Sequence, residues 1–381
     1  MRDSRNMINN IKNSYPDQYR FLKSKLLEKN EDGITEYILG QRNDYLNIYY
    51  RGMSMAQIKD TGNKMTCTMS KFYIEGRSDL KSPMKLETFC KEEVFGYIKT
   101  QIEKHVYGEH DGKMRREKVC QQWIMNMNNS HKAEEWFFID MEYVFDEKPY
   151  GRPDLIAIKR NPDKNGVHDV ALVEIKIGNT KYSGLDGTKY DADKELFEQL
   201  KENVFNESTE KLRKLKYGSG LVSHMVDNLR FLNNPYNYQI QLRQELINML
   251  EVCSDLEVIA ADEPLAKVKD VEQLSTKPIV YILSYAYVPS IKDDAKKKTT
   301  IKSMKRSFYN HFYTSEYCLK NMINCNQIEE ILKLQSNFKE AIEEDSVTVL
   351  SCEQEIGKEI YKFIFGFKDP DKTELPIWKC L

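Results

Sequence analysis

The chain contains no run of about 18 apolar residues, the length a membrane-crossing helix needs, so no membrane partner is expected. Its opening stretch, MRDSRNMINNIKNSYPD, lacks the apolar centre of a secretory signal, and export is not expected. The eight cysteines (Cys67, Cys90, Cys120, Cys253, Cys318, Cys325, Cys352 and Cys380) include no CxxC pair, and none stands near a histidine at zinc-finger spacing. A disulfide framework does not suit a chain of 381 residues without an export signal; buried or incidental thiols in a reducing cytoplasm are the expectation. Net charge is scarce too. With 57 Lys+Arg against 59 Asp+Glu the formal balance is -2, which excludes a globally basic, histone-like protein. Any nucleic-acid contact must come from local basic patches. There is no internal repeat, no low-complexity stretch and no GxxxxGK[ST] loop, so the chain itself is not expected to use ATP.

What is present is a foldable composition. Hydrophobic residues make up 40%, with 23 Tyr and 16 Phe, too much apolar surface for a disordered chain. The length suits two or three structural units. Residues 1 to 31 are polar and partly helical in pattern (YRFLKSKLLEKN) before Gly33 breaks the run. From 34 to 76, YLNIYYRG, MSMAQIKD and MTCTMSKFYIEG read as strands parted by Gly and Asn. LETFCKEEVFGYIKTQIEKHVY (86 to 107) and KMRREKVCQQWIMNM (113 to 127) read as helices.

Three strands follow in close succession: EWFFIDMEYVF (135 to 145), RPDLIAIK (152 to 159) and DVALVEIKI (169 to 177). The turn signals between them, DEKPYG and RNPDKNG, predict an antiparallel meander. Helices are expected at 191 to 205 and 236 to 253, a doubly buried strand at 277 to 288, and a helical tail from 317 to 345. The order helix, three strands, helix, strand predicts a mixed α/β fold with one central sheet flanked by helices, a β-rich N-terminal extension and a helical C-terminal tail. The expected divisions are 1–110, a core over 111–315 with a helical insertion at 206–253, and 316–381.

Two of these strands carry charged residues where a core-facing strand should not. Asp154 opens the apolar run LIAI, and Glu174 and Lys176 interrupt VALVEIKI. Side chains alternate along a strand, so Glu174 and Lys176 share one face and Ile175 takes the other. If the two strands pair as a hairpin, Asp154 falls beside Glu174. Taken alone, Glu-x-Lys is equally the mark of an edge strand with one wet face, a surface pair contributing roughly 0–1 kcal/mol.

Pro153-Asp154 followed by Glu174-Ile175-Lys176 resembles the motif of the PD-(D/E)xK nuclease superfamily, whose restriction-endonuclease-like core has the same element order. The resemblance spans about residues 110 to 315. It implies a metal-dependent nuclease, with Asp154 and Glu174 as hard oxygen ligands for Mg²⁺ or Mn²⁺, the Ile175 carbonyl as a third, and Lys176 orienting or deprotonating the attacking water. Gln199 resembles the glutamine many members carry on the helix after the third strand, whereas their later tyrosine is replaced here by Phe205 or shifted. Members often add another acid; Glu142 is the candidate among apolar neighbours, with Glu117 and Glu93 on helices whose acids are commonly just solvated.

Two basic stretches are candidate phosphate contacts: KLRKLK, with Lys211, Arg213 and Lys214, and IKDDAKKKTTIKSMKR, with Lys296, Lys297 and Lys298. Either could equally be a solvated helix face or loop. His224 and Asp227 fall on one helix face between them, as a second polar patch or a plain surface pair. The expectation is therefore a cytoplasmic nuclease acting on DNA, in defence, restriction or mobile-element processing. A homodimer that cuts two strands and an unidentified regulatory partner are compatible with it. The rival is a non-catalytic nucleic-acid-binding or assembly protein on the same scaffold.

Overall fold

The computed structural model describes residues 4–42, 44–62, 64–107, 116–143, 153–177, 231, 236–285, 349–356 and 359–366. The fold is mixed α/β with two sheets and several helices, the expected β-rich N-terminal stretch forming a sheet of its own. The chain divides into two compact units. The first comprises Met1–Met141, Leu155–Val170 and Gln239–Thr276; the second comprises Glu142–Asp154, Ala171–Tyr238 and Lys277–Leu381.

The first unit opens with helices α1 (Arg5–Ser14) and α2 (Pro16–Leu27). Pro16 takes the first helical position of α2, where its missing N–H costs nothing. Five strands follow: β1 (Tyr37–Gln41), β2 (Leu46–Tyr50), β3 (Met53–Asp60), β4 (Met65–Thr68) and β5 (Met84–Lys85). They pair in chain order as an antiparallel meander. Aromatic and β-branched residues suit these strands, and two residues, Arg51 (φ 50) and Gly52 (φ 74), close the β2–β3 hairpin. A Cβ on Gly52 would stand 2.3 Å from the Lys118 backbone, so only glycine fits that turn.

Beyond β5 come α3 (Leu86–Phe89), α4 (Glu92–Tyr107) and α5 (Arg116–Ser130). Ile11, Met55, Ile58, Leu86, Phe89, Ile98 and Ile102 are sealed from solvent at the centre of this core. Burying each large apolar side chain contributes about 1.5–3 kcal/mol. Gln122 fastens α5 to the meander by donating to the Glu36 and Tyr49 carbonyls, at 2.7 and 3.2 Å. Then β6 (Trp136–Met141) and β7 (Leu155–Lys159) pair antiparallel, as the meander reading expects. A bulge between Phe138 and Asp140 shifts their register. The unit's last α-helix is α6 (Arg243–Asp255), preceded by a π-helical stretch at Tyr236–Leu242 that enters the unit at Gln239.

In the second unit, β8 (Val170–Ile177), from Ala171 onward, pairs parallel with β9 (Ile279–Tyr285), and β9 pairs parallel with β11 (Glu359–Gly366). β10 (Val349–Ile356) adds antiparallel to β11. Parallel strands are buried on both faces, which accounts for the continuous apolar run from Val170 to Val173 and for Val280 and Leu283.

Two expectations are corrected. The expected helical C-terminal tail contains a β-hairpin, β10–β11, whose Ile356↔Glu359 pair brackets the sequence Gly357-Lys358. EIYKFIFG is rich in β-branched and aromatic residues, a strand signal that the helical reading overlooked. MSKFYIEG does not continue β4: Lys71–Ile74 form a 3₁₀ turn instead, while Met69 is held by Ser82. The expected helices at 191–205 and 317–345 lie outside the described residues. Among the described residues no helix is long and apolar enough to cross a membrane.

Candidate active site

The residues singled out around Pro-Asp and Glu-x-Lys fall within the second unit. Asp154 stands directly before β7 and is 8% exposed; Glu174, in the middle of β8, is 2% exposed. The Ile175 N–H donates to Asp154 Oδ2 at 2.6 Å, so the Asp154 carboxylate abuts the backbone of the residue that follows Glu174. Asp154 is gripped a second time through its main chain, where the Glu142 N–H donates to its carbonyl at 2.8 Å. Both contacts run through backbone N–H groups, those of Ile175 and Glu142, with Glu174 one residue before Ile175 along β8.

Glu142 is half-buried and holds φ 52, a left-handed conformation that costs a non-glycine residue about 1–2 kcal/mol. Such strain persists only where neighbouring structure imposes it, and here the Glu142 N–H is tied to the Asp154 carbonyl. In the β8–β9 register Glu174 lies opposite Ile282 and Lys176 opposite Ser284. Lys176 is therefore in the strand at the expected position; its side chain lies outside the described residues.

Taking carboxylates out of water is costly unless hydrogen bonds or opposite charge compensate them. The Ile175 N–H supplies part of that compensation for Asp154. The donor set also suits a hard dication: Mg²⁺ binds through one or two carboxylates and leaves the rest of its shell to water and substrate phosphate. Among the described residues no group of three or more His, Cys, Asp or Glu gathers around a common point, as a closed protein cage of the zinc type would require. A donor set of carboxylates without histidine or cysteine would suit Mg²⁺ or Mn²⁺ better than Zn²⁺.

Of the other candidates, Glu93 is exposed on α4, as a solvated helix acid would be, and Glu117 lies on α5 with its side chain outside the described residues. Gln199, Phe205, Lys211, Arg213, Lys214, His224, Asp227, Lys296, Lys297 and Lys298 all lie outside the described residues.

One buried charge escaped the sequence reading. Asp140, in β6 of the first unit, is fully buried and paired with Arg42, whose Nη1 lies 2.8 and 2.7 Å from its two carboxylate oxygens. Arg42 also donates from Nη2 to the Met141 carbonyl at 2.6 Å and to the Tyr49 hydroxyl at 3.3 Å. Burial opposes the guanidinium charge, yet Asp140 together with the tyrosines Tyr49 and Tyr45 holds the Arg42 pKa above its ordinary value. The cluster pins Met141, the residue before Glu142. The signal was an acid inside the apolar stretch WFFIDM, but its partner sits in the β1–β2 turn, far away in sequence.

Compared with models of protein families, with curated proteins and with solved structures, the chain matches none.

Proposed function

We propose that this chain is a metal-dependent nuclease that hydrolyses phosphodiester bonds in DNA, built on a restriction-endonuclease-like core. One observation carries the reading. The acid of the Pro-Asp pair is buried and hydrogen-bonded at 2.6 Å to the backbone between Glu174 and Lys176, the two ends of Glu-x-Lys. A chance surface pair on a wet edge strand would not be 2% exposed at Glu174 and 8% exposed at Asp154.

In this reading Asp154, Glu174 and the Ile175 carbonyl hold Mg²⁺ or Mn²⁺, with Glu142 as a further acid. The ion would supply neutralisation of phosphate charge and acidification of water. The protein residues do the rest. The Ile175 N–H fixes the Asp154 carboxylate so that it need not reorganise during the reaction. Lys176 orients the attacking water and offsets charge developing on the phosphate, a role Gln199 shares in this reading. Burial of the two acids keeps bulk water from screening these interactions. Lys211, Arg213, Lys214 and Lys296 to Lys298 provide the cationic track for the backbone. Defence, restriction or mobile-element processing is the cellular setting that suits such an activity, and a second copy of the chain would serve cutting of both strands.

The rival reading, a non-catalytic nucleic-acid-binding scaffold, draws on the absence of a three-ligand acid or histidine group among the described residues. The two separate at Lys176. Lys176→Ala is expected to abolish cleavage while leaving the fold and most of the DNA affinity, read by filter binding and circular dichroism. Cleavage retained at the wild-type rate would sink the assignment.

A further inference from the structure

A cavity of about 190 Å³ opens within the first unit, independent of the acidic site. Its walls come from the end of α2, β1, α5, β6 and the segment after α6, with Leu26, Tyr37, Leu39, Met125, Phe137 and Ile139 supplying buried apolar surface. Its volume exceeds the ~150 Å³ that suffices to hold a benzene ring in an engineered apolar cavity. Such a wall offers a flat ring dispersion contacts and edge-to-face packing.

The polar groups on the wall are mostly engaged. Asn129 spends its amide on the Phe138 backbone, donating at 2.7 Å and accepting at 2.8 Å. Ser130 Oγ accepts the Thr35 N–H at 2.8 Å. Three of the charged groups are neutralised by partners, Glu263 by Arg160, Glu257 by Lys23, and Lys132 by Asp262, while the exposed Lys29 donates to the Ser130 carbonyl at 3.3 Å. Asn126 differs. It is 8% exposed, it lines the cavity, and its buried Oδ1 has no hydrogen-bond partner among the described residues. An unpartnered buried acceptor costs about 1–3 kcal/mol, and native structures rarely keep one without a use.

We propose that this cavity binds an uncharged one- or two-ring aromatic heterocycle carrying a ring N–H, which donates to Asn126 Oδ1. The paired ions around the wall, and the placement of the remaining cation, Lys29, in solvent, disfavour a charged ligand, because no countercharge is buried with the apolar surface. The apolar wall takes the ring faces, and the single unmet acceptor sets the orientation. The amide group of Asn126 also carries a donor beside its acceptor, so a ring that presents N–H next to a lone-pair nitrogen can engage both.

Indole and indene test this as a pair, being nearly equal in shape and differing in the N–H. Calorimetry and ligand-observed NMR on the full chain should show indole binding about five- to tenfold tighter than indene, the worth of one hydrogen bond to a buried acceptor. Asn126→Leu should bring the two affinities together. Ala260→Phe, which fills the cavity from its wall and leaves Asn126 in place, should abolish binding of both, with circular dichroism confirming an intact fold. The proposal is overturned if neither compound binds the wild-type chain, if both bind it equally, or if Ala260→Phe binds as the wild type does.

Discussion

Replacing Arg42 by Met would leave the Asp140 carboxylate buried with no countercharge from that side chain. Asp140 is 0% exposed and Arg42 6%, so water cannot take over the lost contacts without opening the β1–β2 turn. Removing one partner of such a pair costs about 3–5 kcal/mol, most of it desolvation left uncompensated. The Gln41 and Met141 carbonyls also lose donors now at 2.8 and 2.6 Å, which pushes the cost towards the upper end. Set against the roughly 5–15 kcal/mol that stabilises a typical domain, Arg42→Met should shift the unfolding midpoint of the first unit markedly. The double variant Arg42→Met/Asp140→Leu removes both charges and should recover most of the loss, ending within about 2 kcal/mol of the wild type. Urea unfolding followed through the fluorescence of Trp136, 3% exposed in the same strand as Asp140, reads the relevant transition. A cost below about 1 kcal/mol for Arg42→Met, or a double variant as unstable as the single, would refute the reasoning.

Three further perturbations follow from the same geometry. Gly52→Ala should destabilise the first unit by about 2–4 kcal/mol, because the turn needs φ 74 and the new Cβ would lie 2.3 Å from the Lys118 backbone; thermal denaturation checks it. His168 is 2% exposed with Nδ1 2.8 Å from the Lys159 carbonyl, and burial holds its pKa below the usual value despite that contact. Its folded-state value being the lower one, the stability it confers is present above about pH 6.5 and drains away as pH falls through the folded-state value, so His168→Gln should lessen the loss of stability between about pH 7 and 5. Glu142→Gly should relieve the left-handed strain and leave stability unchanged or slightly raised, yet lower cleavage if the carboxylate serves the metal. Unchanged cleavage would remove Glu142 from the site.

Local signals made much of this fold legible. The antiparallel β6–β7 pairing followed from the turn-rich DEKPYG between two apolar runs, and α6 from the periodicity of QLRQELINMLEVC. Alternation around Glu174 flagged an acid in a strand interior, and the structure buries it to 2%. What sequence did not reveal depends on distant partners. The parallel pairing of β8 with β9, and of β9 with β11, joins segments separated by long connections that carry no local mark. The Arg42–Asp140 pair spans 98 positions and includes a bulge that breaks the alternation of β6. Asn126 reads in sequence as one polar helix residue among several; only tertiary packing makes its Oδ1 a buried group in need of a donor.

The most direct test of the central claim is cleavage itself. The purified chain is incubated with plasmid, linear duplex, single-stranded DNA and RNA, each with Mg²⁺, Mn²⁺ or EDTA, beside Asp154→Ala and Lys176→Ala. The account predicts metal-dependent cutting of DNA that EDTA stops and both variants lose while remaining folded. Absence of cutting by the wild-type chain, together with calorimetry showing no divalent-metal binding that Asp154→Ala removes, would contradict it.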